Sequence, residues 1–451
     1  MREVSIKDTM SGERRIIDRD GEVGIYACGP TVYSRIHIGN ARPFVIFSLL
    51  ARFLKSEGYR TRLAINVTDI NDKIYTAARE RGIPSGELAA EMTAAYMKDT
   101  GDLGLGRPDA EPLATAMVEP IIELIETLVE GGHAYESGGD VYFSVRDFEG
   151  YGKLSHRRTE DMEQGEGDDA GSLKRDQLDF ALWKARKDGE DTFWDSPWGP
   201  GRPGWHIECS AMAEAELGEL PFAIHGGGSD LVFPHHENEI AQSEAARGKP
   251  LARVWMHNGM IETDSAKMSK SDGNIFQLSE AIEKYGAEAV VSYLVSGHYR
   301  QPLAFGEAPL EEAVARVGRL RNFLRDQDLS EEQGSAAAAA TGRFRDALAD
   351  DFNTPRAMVE AFDLVRLANQ EPVAGAGAAL VEMLDLVGLG SLAEDDSEGP
   401  GEEALALLAR REAARAEKDF KLADEIRDQL AELGWEVRDG SGGASLVPGQ
   451  N

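Results

Sequence analysis

The chain has 451 residues, enough for about three domains and a large buried core, so a single small module is excluded. Apolar residues make up 42% and charged residues 28%, ordinary values for a globular protein, and no stretch approaches the roughly 18 apolar residues of a membrane-spanning helix. Lys and Arg number 48 against 80 Asp and Glu, a formal charge of −32, which excludes nucleic-acid binding through an overall basic face and, because such self-repulsion strains a fold in dilute buffer, points to a halophilic protein. Residues 1–17 are rich in charge and have no signal-type apolar core, so a cytoplasmic location without membrane contact is expected. The two cysteines, Cys28 and Cys209, are too few for a disulfide framework and read as reduced thiols.

In chain order, 21–29 reads as a buried strand ending at the turn Cys28-Gly29-Pro30. His37-Ile38-Gly39-Asn40 follows and opens a helix over 39–58, whose Phe44, Phe47, Leu50 and Leu54 recur at helical spacing. A strand over 62–67 completes a βαβ unit. Asn66 to Lys73 then places polar groups, Thr68 among them, at the carboxyl end of the second strand.

The expected organisation is α/β, a doubly wound nucleotide-binding domain of Rossmann-like type split by an insertion. Residues 1–102 form its first half and 103–200 the inserted α/β domain. Residues 201–305 form the second half, with a strand over 222–225, a Gly226-Gly227-Gly228 loop, a helix from His235 and a strand near 254–257. A helical bundle (306–392), an acidic linker (393–403) and a small terminal domain (404–451) complete the chain. The alanine-rich 334–341 reads as a second linker.

Lys267-Met268-Ser269-Lys270-Ser271 precedes the turn-forming Asp272-Gly273-Asn274 and holds two cations close together, as polyphosphate binding needs. The earlier His37-Ile38-Gly39-Asn40 lies between a strand and a helix, where backbone N–H groups and the helix dipole face an anion. Taken alone the first motif is weak, an ordinary helix entry; the second is far more specific, its bland alternative being a solvated basic loop. Together, one on each half of a split nucleotide fold, they indicate ATP chemistry.

With Tyr26 to Tyr33, Gly201 to Ser210, His225 to Asp230 and Phe233 to Glu239, these motifs make the chain resemble the class I aminoacyl-tRNA synthetases, and within them the cysteinyl-tRNA synthetase family, over nearly its whole length. The resemblance implies ATP-dependent activation of L-cysteine and its transfer to the 3′ end of tRNA(Cys), with Mg²⁺ accompanying ATP. It implies one Zn²⁺ on Cys28, Cys209, His235 and Glu239, which are acceptable zinc ligands by chemistry, and it is what selects His235 over His236 and Glu239 over Glu237.

The resemblance also assigns Lys270, Lys267 and His37 to catalysis, and His37, Gly39, Asn40, Lys267, Ser269 and Lys270 to ATP. Thr68, Trp205 and Asp230 are expected to face the substrate. Asn40 departs from the family, which usually has histidine there; an amide donates a hydrogen bond but cannot become cationic. For tRNA, Arg316, Arg319 and Arg325 form one expected patch and Arg410, Arg411, Arg415 and Lys418 another. A monomer is expected. Two competing functions are a related ligase that passes activated cysteine to an amino sugar, against which the terminal region argues, and an inactive zinc protein that binds RNA, against which Lys267, Lys270 and His37 argue.

Overall fold

The structure, a computed structural model, describes residues 2–162, 173–263, 266–267, 276–394, 402–416, 419–433, 435–440 and 443–448. The chain separates into two compact units, 1–392 and 393–451.

The first unit is built on strand β1 (Glu22–Ala27), helix α1 (Ile38–Ser56), strand β2 (Arg60–Ile65), helix α2 (Trp205–Leu217), strand β3 (Phe222–Gly228), helix α3 (Glu237–Arg247) and strand β4 (Ala252–Asn258). The four strands form one parallel sheet in the order β4-β3-β1-β2. All-parallel strands need cover on both faces, which is why Val23, Ile25, Ile224 and Val254 read as apolar runs and are all buried. The order reverses between β1 and β3, so the crevice outside their carboxyl ends is the ligand-binding position of such sheets. Close approach there requires glycine: a Cβ on Gly226 would lie 2.2 Å from the Phe47 ring, and one on Gly29 would lie 1.7 Å from the Asn66 carbonyl oxygen.

Between β2 and β3 the chain forms the helix Val118–Glu130 and an antiparallel sheet of Ala134–Ser137, Asp140–Phe143, Phe180–Ala185 and Gly201–Pro203. Ile121, Leu124, Ile125 and Leu128 recur at helical spacing and bury against Val141, Phe143, Phe180 and Trp183; Ile207 of α2 and Ala241 of α3 enter the same cluster. The inserted elements are thereby fastened to the helices that carry the site. Helices Glu307–Arg325, Ser335–Ala349, Thr354–Gln370 and Ala376–Leu386 follow.

Several expectations need correction. Gly226-Gly227-Gly228, expected as a loop, is the end of β3 and pairs with Met256, His257 and Asn258 of β4. The alanine-rich 334–341 is not a linker but the start of the helix Ser335–Ala349, with Ala337, Ala340 and Phe344 buried; alanine is the strongest helix former, so low complexity here means helix. The helix expected from His235 begins at Glu237, after a π-type turn over Val232–His236 in which Phe233 is extended (φ −141°, ψ 133°).

In the second unit, helices Glu402–Ala416 and Phe420–Glu432 and the hairpin Trp435–Gly440/Gly443–Pro448 share a core of Ala404, Leu407, Ile426 and Leu430. Arg411 lies on the same inward stripe as Leu407 and Ala414 and is only 7% exposed. It therefore does not belong to a surface patch with Arg410 and Arg415. Lys418 lies outside the described residues.

Candidate metal centre and nucleotide cleft

Four elements converge beneath the carboxyl end of β1. Cys28 directly follows β1, Cys209 lies in α2, His235 sits in the irregular turn and Glu239 is in α3. One ligand atom from each lies within 4.8 Å of the other three. His235 Nε2 is 3.2 Å and Cys28 Sγ 3.5 Å from Glu239 Oε1, close to the roughly 3.3–3.8 Å separating the corners of a tetrahedral zinc site with ordinary bond lengths. All four side chains are buried.

A second set shares Cys28 and Glu239 but takes His225 and His236 instead. His236 Nε2 lies 3.4 Å from Cys28 Sγ and 3.8 Å from Glu239 Oε1, so it too is within reach of an ion held there. His225 Nε2 lies 2.7 Å from the other Glu239 oxygen, Oε2. His236 Nδ1 lies 2.7 Å from His257 Nε2, and the opposite nitrogen of His257 lies 2.8 Å from Thr9 Oγ1. His206 Nδ1 lies 2.9 Å from His235 Nδ1, leaving Nε2 of His235 on the Glu239 side. Contacts of this kind orient ligand imidazoles, at His236 as at His235, so distance alone does not choose between the two sets, and His235 is preferred on the family resemblance. Sequence reasoning did not single out His206, His236 and His257 as partners of the cluster. A signal was present, because five of the chain's nine histidines (206, 225, 235, 236 and 257) fall within 52 positions.

Burial dominates the electrostatics here. It pushes the Cys28 thiol well up, with the Cys209 hydrogen bond and the Glu239 charge adding to it. At Cys209 the hydrogen bond with Cys28 pulls downward, but burial and Glu239 leave the thiol raised. Burial and neighbouring histidines hold His235 and His236 well below the usual imidazole range, and His257 falls to about 3. Near neutral pH the imidazoles are thus neutral, with lone pairs to donate. The thiols require a cation to ionise. Two soft sulfurs, an imidazole and a carboxylate suit a thiophilic divalent ion.

Above the cluster opens a cleft of about 250 Å³ lined by Cys28, Tyr33, Arg35, His37, Gly39, Asn40, Trp205, Asp230 and Asn258, among others. Trp205 joins the two regions: its ring lies 4.3 Å from that of His235, and it is 36% exposed. Asn258, at the end of β4, is buried, and neither its amide nitrogen nor its oxygen has a hydrogen-bond partner among the described residues. An orphaned buried amide on a cleft wall suits a polar ligand.

His37 caps α1. Its Nδ1 accepts the Gly39 N–H at 3.1 Å, and Asn40 Oδ1 accepts the His37 N–H at 3.3 Å. Asn40 therefore closes a capping box through its amide oxygen. Ile38 N donates to Phe276 O and Leu278 N to Ile36 O, both at 3.1 Å. These bonds fasten the first motif to the residues that directly follow the second. On its other side, Ala266–Lys267 pairs with Ile261–Thr263; Ser269 and Lys270 lie outside the described residues, as does the Lys267 side chain.

Of the expected substrate residues, Trp205 and Asp230 line the cleft and Thr68 does not. Thr68 is 1% exposed. Its hydroxyl accepts from Asn66 Nδ2 at 3.3 Å and bonds Glu208, while its backbone pairs with Pro30 and Val32. It supports the loop after Cys28 from behind.

Residues 16–315 match the family model of the tRNA synthetases class I (C) catalytic domain, 343–389 the DALR domain, and 398–444 the cysteinyl-tRNA ligase anticodon binding domain. The cysteine–tRNA ligase of Stutzerimonas stutzeri is 47% identical, covering 94% of each chain, and that of Chromohalobacter salexigens is 46% identical, covering 95% of each. The chain belongs to the cysteine–tRNA ligase family. The class I fold of that family also appears in Mycobacterium tuberculosis methionyl-tRNA synthetase bound by methionyl-adenylate. That structure superposes with a TM-score of 0.61 at 17% identity, over 83% of this chain and 90% of the other.

Proposed function

We propose that the chain activates L-cysteine with ATP and passes it to the 3′ end of tRNA(Cys), as a cytoplasmic monomer in a salt-rich cell, with Mg²⁺ accompanying ATP. The observation that carries this reading is the buried Cys28, Cys209, His235 and Glu239 cluster opening, past Trp205, into a cleft headed by the N-terminus of α1. Zinc held by those four residues supplies an electrophilic seat that favours a thiolate over a hydroxyl, which separates cysteine from serine by a ligand the competitor lacks. A site that recognises its substrate through such a group reaches discriminations of about 10⁴–10⁵ without editing.

The remaining work is positioning and charge stabilisation. A carboxylate oxygen of cysteine attacks the α-phosphorus of ATP, the bond to pyrophosphate breaks, and the aminoacyl-adenylate remains. A ribose hydroxyl of the tRNA then attacks the carbonyl carbon and AMP departs. The backbone N–H groups around Gly39 and the dipole of α1 face the phosphates. Lys267 and Lys270 balance the charge developing on pyrophosphate. Asp230 at the cleft edge suits the substrate ammonium or the ribose hydroxyls, and Asn258 suits the nucleoside.

Cysteine-dependent ATP–pyrophosphate exchange and charging of tRNA(Cys), both in about molar KCl where surface charge is screened, test the reading. Zinc-loaded protein is expected to support both. Zinc-loaded protein without exchange would sink it in favour of a binding protein, and exchange without charging would favour an amino-sugar ligase.

A further inference from the structure

Arg42 is among the largest fully buried side chains, at 1% exposure, and lies in the first turns of α1 two residues beyond the first ATP motif. Its donors go to main-chain carbonyls: Nη1 to Gly259 O at 2.5 Å and Gln301 O at 2.8 Å, and Nη2 to His298 O at 3.2 Å. No carboxylate pairs with it among the described residues, and its Nε has no hydrogen-bond partner there. Burial draws the guanidinium down to about 10, so it stays cationic at neutral pH. A buried cation without a counter-ion is an expensive way to fasten a helix that an apolar side chain would fasten more cheaply.

What Arg42 holds accounts for the expense. Gly259, Met260 and Ile261 form one wall of the cleft, and the strand Ile261–Thr263 leads directly towards Lys267. Gly259 also donates its N–H to Tyr299 O at 2.7 Å, and Met260 O accepts from Leu303 N at 2.9 Å. The approach is so close that a Cβ on Gly259 would lie 2.3 Å from Gln301 O. Through Nη1, Arg42 bonds a carbonyl on each side of this junction.

The acceptor segment is braced in turn. Tyr299 Oη donates to Asp351 Oδ1 at 2.9 Å, and Arg300 pairs with Asp351 Oδ2. Asp351 itself sits in the left-handed region at φ 65°, in the corner between two helices of the 306–392 region.

We propose that Arg42 is a positioning residue for adenylate formation: it ties the first turns of α1, which carry the first ATP motif, to the Gly259–Ile261 wall of the cleft, and so fixes how the motif and that wall face each other across it. This rests on the adenylation reading above. A displacement of about 1 Å between groups aligned for reaction can cost about 10²-fold in rate, so the predicted signature is a loss in kcat rather than in cysteine binding.

Arg42→Met and Arg42→Lys are to be compared with the unaltered chain for zinc content, melting temperature and cysteine-dependent exchange. In Arg42→Met, kcat is expected to fall about 10²-fold, with zinc content and the KM for cysteine unchanged. Arg42→Lys, whose single ammonium reaches some of the carbonyls, is expected to recover about 10-fold of that loss. A kcat for folded Arg42→Met within twofold of the unaltered chain, roughly 0.4 kcal/mol, overturns the proposal. So does a parallel fall in zinc, cysteine affinity and kcat, which marks simple loss of structure. If Arg42→Met does not fold, Arg42→Lys decides by the same criteria. An unaltered chain that is folded, zinc-loaded and inactive in exchange removes the adenylation reading, and this inference with it.

Discussion

Cys209 separates metal binding from packing. Serine fits the same space but offers a hydroxyl in place of the thiolate, so Cys209→Ser is expected to lose zinc, measured by metal analysis, and to lower cysteine-dependent exchange by at least about 10²-fold. Retention of zinc in that variant would disprove the ligand set. The sign of the pH effect follows from the same atoms. Burial raises the Cys28 thiol, so binding a cation releases protons that the folded apo-protein otherwise keeps, and metal affinity must fall as pH falls. Titrating zinc against a competing chelator on either side of neutrality, after correction for the chelator's own protonation, checks this; affinity that is flat with pH excludes thiolate ligation. At this scale the two cysteines stood out as the chain's only thiols, whereas His235 and Glu239 were chosen over His236 and Glu237 by the family resemblance and not by residue chemistry. Arg42 was not readable, because its partners are main-chain carbonyls, which leave no trace in residue types; Thr68 was misplaced because its partner Glu208 is about 140 positions away in sequence.

At the scale of elements, α1 unites two functions in one residue. His37 caps the helix through Nδ1 and also lines the cleft. His37→Ala removes both roles, whereas His37→Asn keeps a cap acceptor, since asparagine is among the best capping residues. The expected outcome is a loss of about 0.5–2 kcal/mol in unfolding free energy for the alanine variant and little for asparagine, with exchange activity lowered in both. Activity that tracks stability instead would reduce His37 to a cap. The βαβ unit was legible because apolar residues recur at 3.6 in α1, fill β1 and close β2 as Leu63-Ala64-Ile65. The turn at Val232–His236 was not, because an irregular turn carries the same residues as a helix start. It matters nonetheless: it lets His235 precede the helix and still lie 3.2 Å from Glu239. The alanine-rich segment failed in the opposite sense, composition suggesting a tether where propensity dictated a helix.

Two properties belong to the whole molecule. The nucleotide cleft and the metal cluster are built from residues of the 1–392 unit, while the anticodon-domain match covers 398–444. Truncation after Glu394 is therefore expected to leave cysteine-dependent exchange near its full value and to abolish charging of tRNA(Cys); undiminished charging would sink the tRNA role of the terminal unit. The second property is charge. The excess of 80 acidic over 48 basic side chains leaves 32 carboxylates without a cationic counterpart, since 80 − 48 = 32. Salt acts on this surface in two directions. It weakens exposed ion pairs such as Arg81–Glu91 and Arg366–Asp363, each worth no more than about 1 kcal/mol, and it weakens the repulsion among the surplus carboxylates. The surplus of like charge makes repulsion the larger effect on the salt-adaptation reading, and the Debye length that screens it shrinks from about 10 Å at ~0.1 M to about 3 Å at ~1 M. The melting temperature and exchange rate should therefore both rise between those two KCl concentrations. A melting temperature that falls over that range means the ion pairs outweigh the repulsion and removes the salt-adaptation reading.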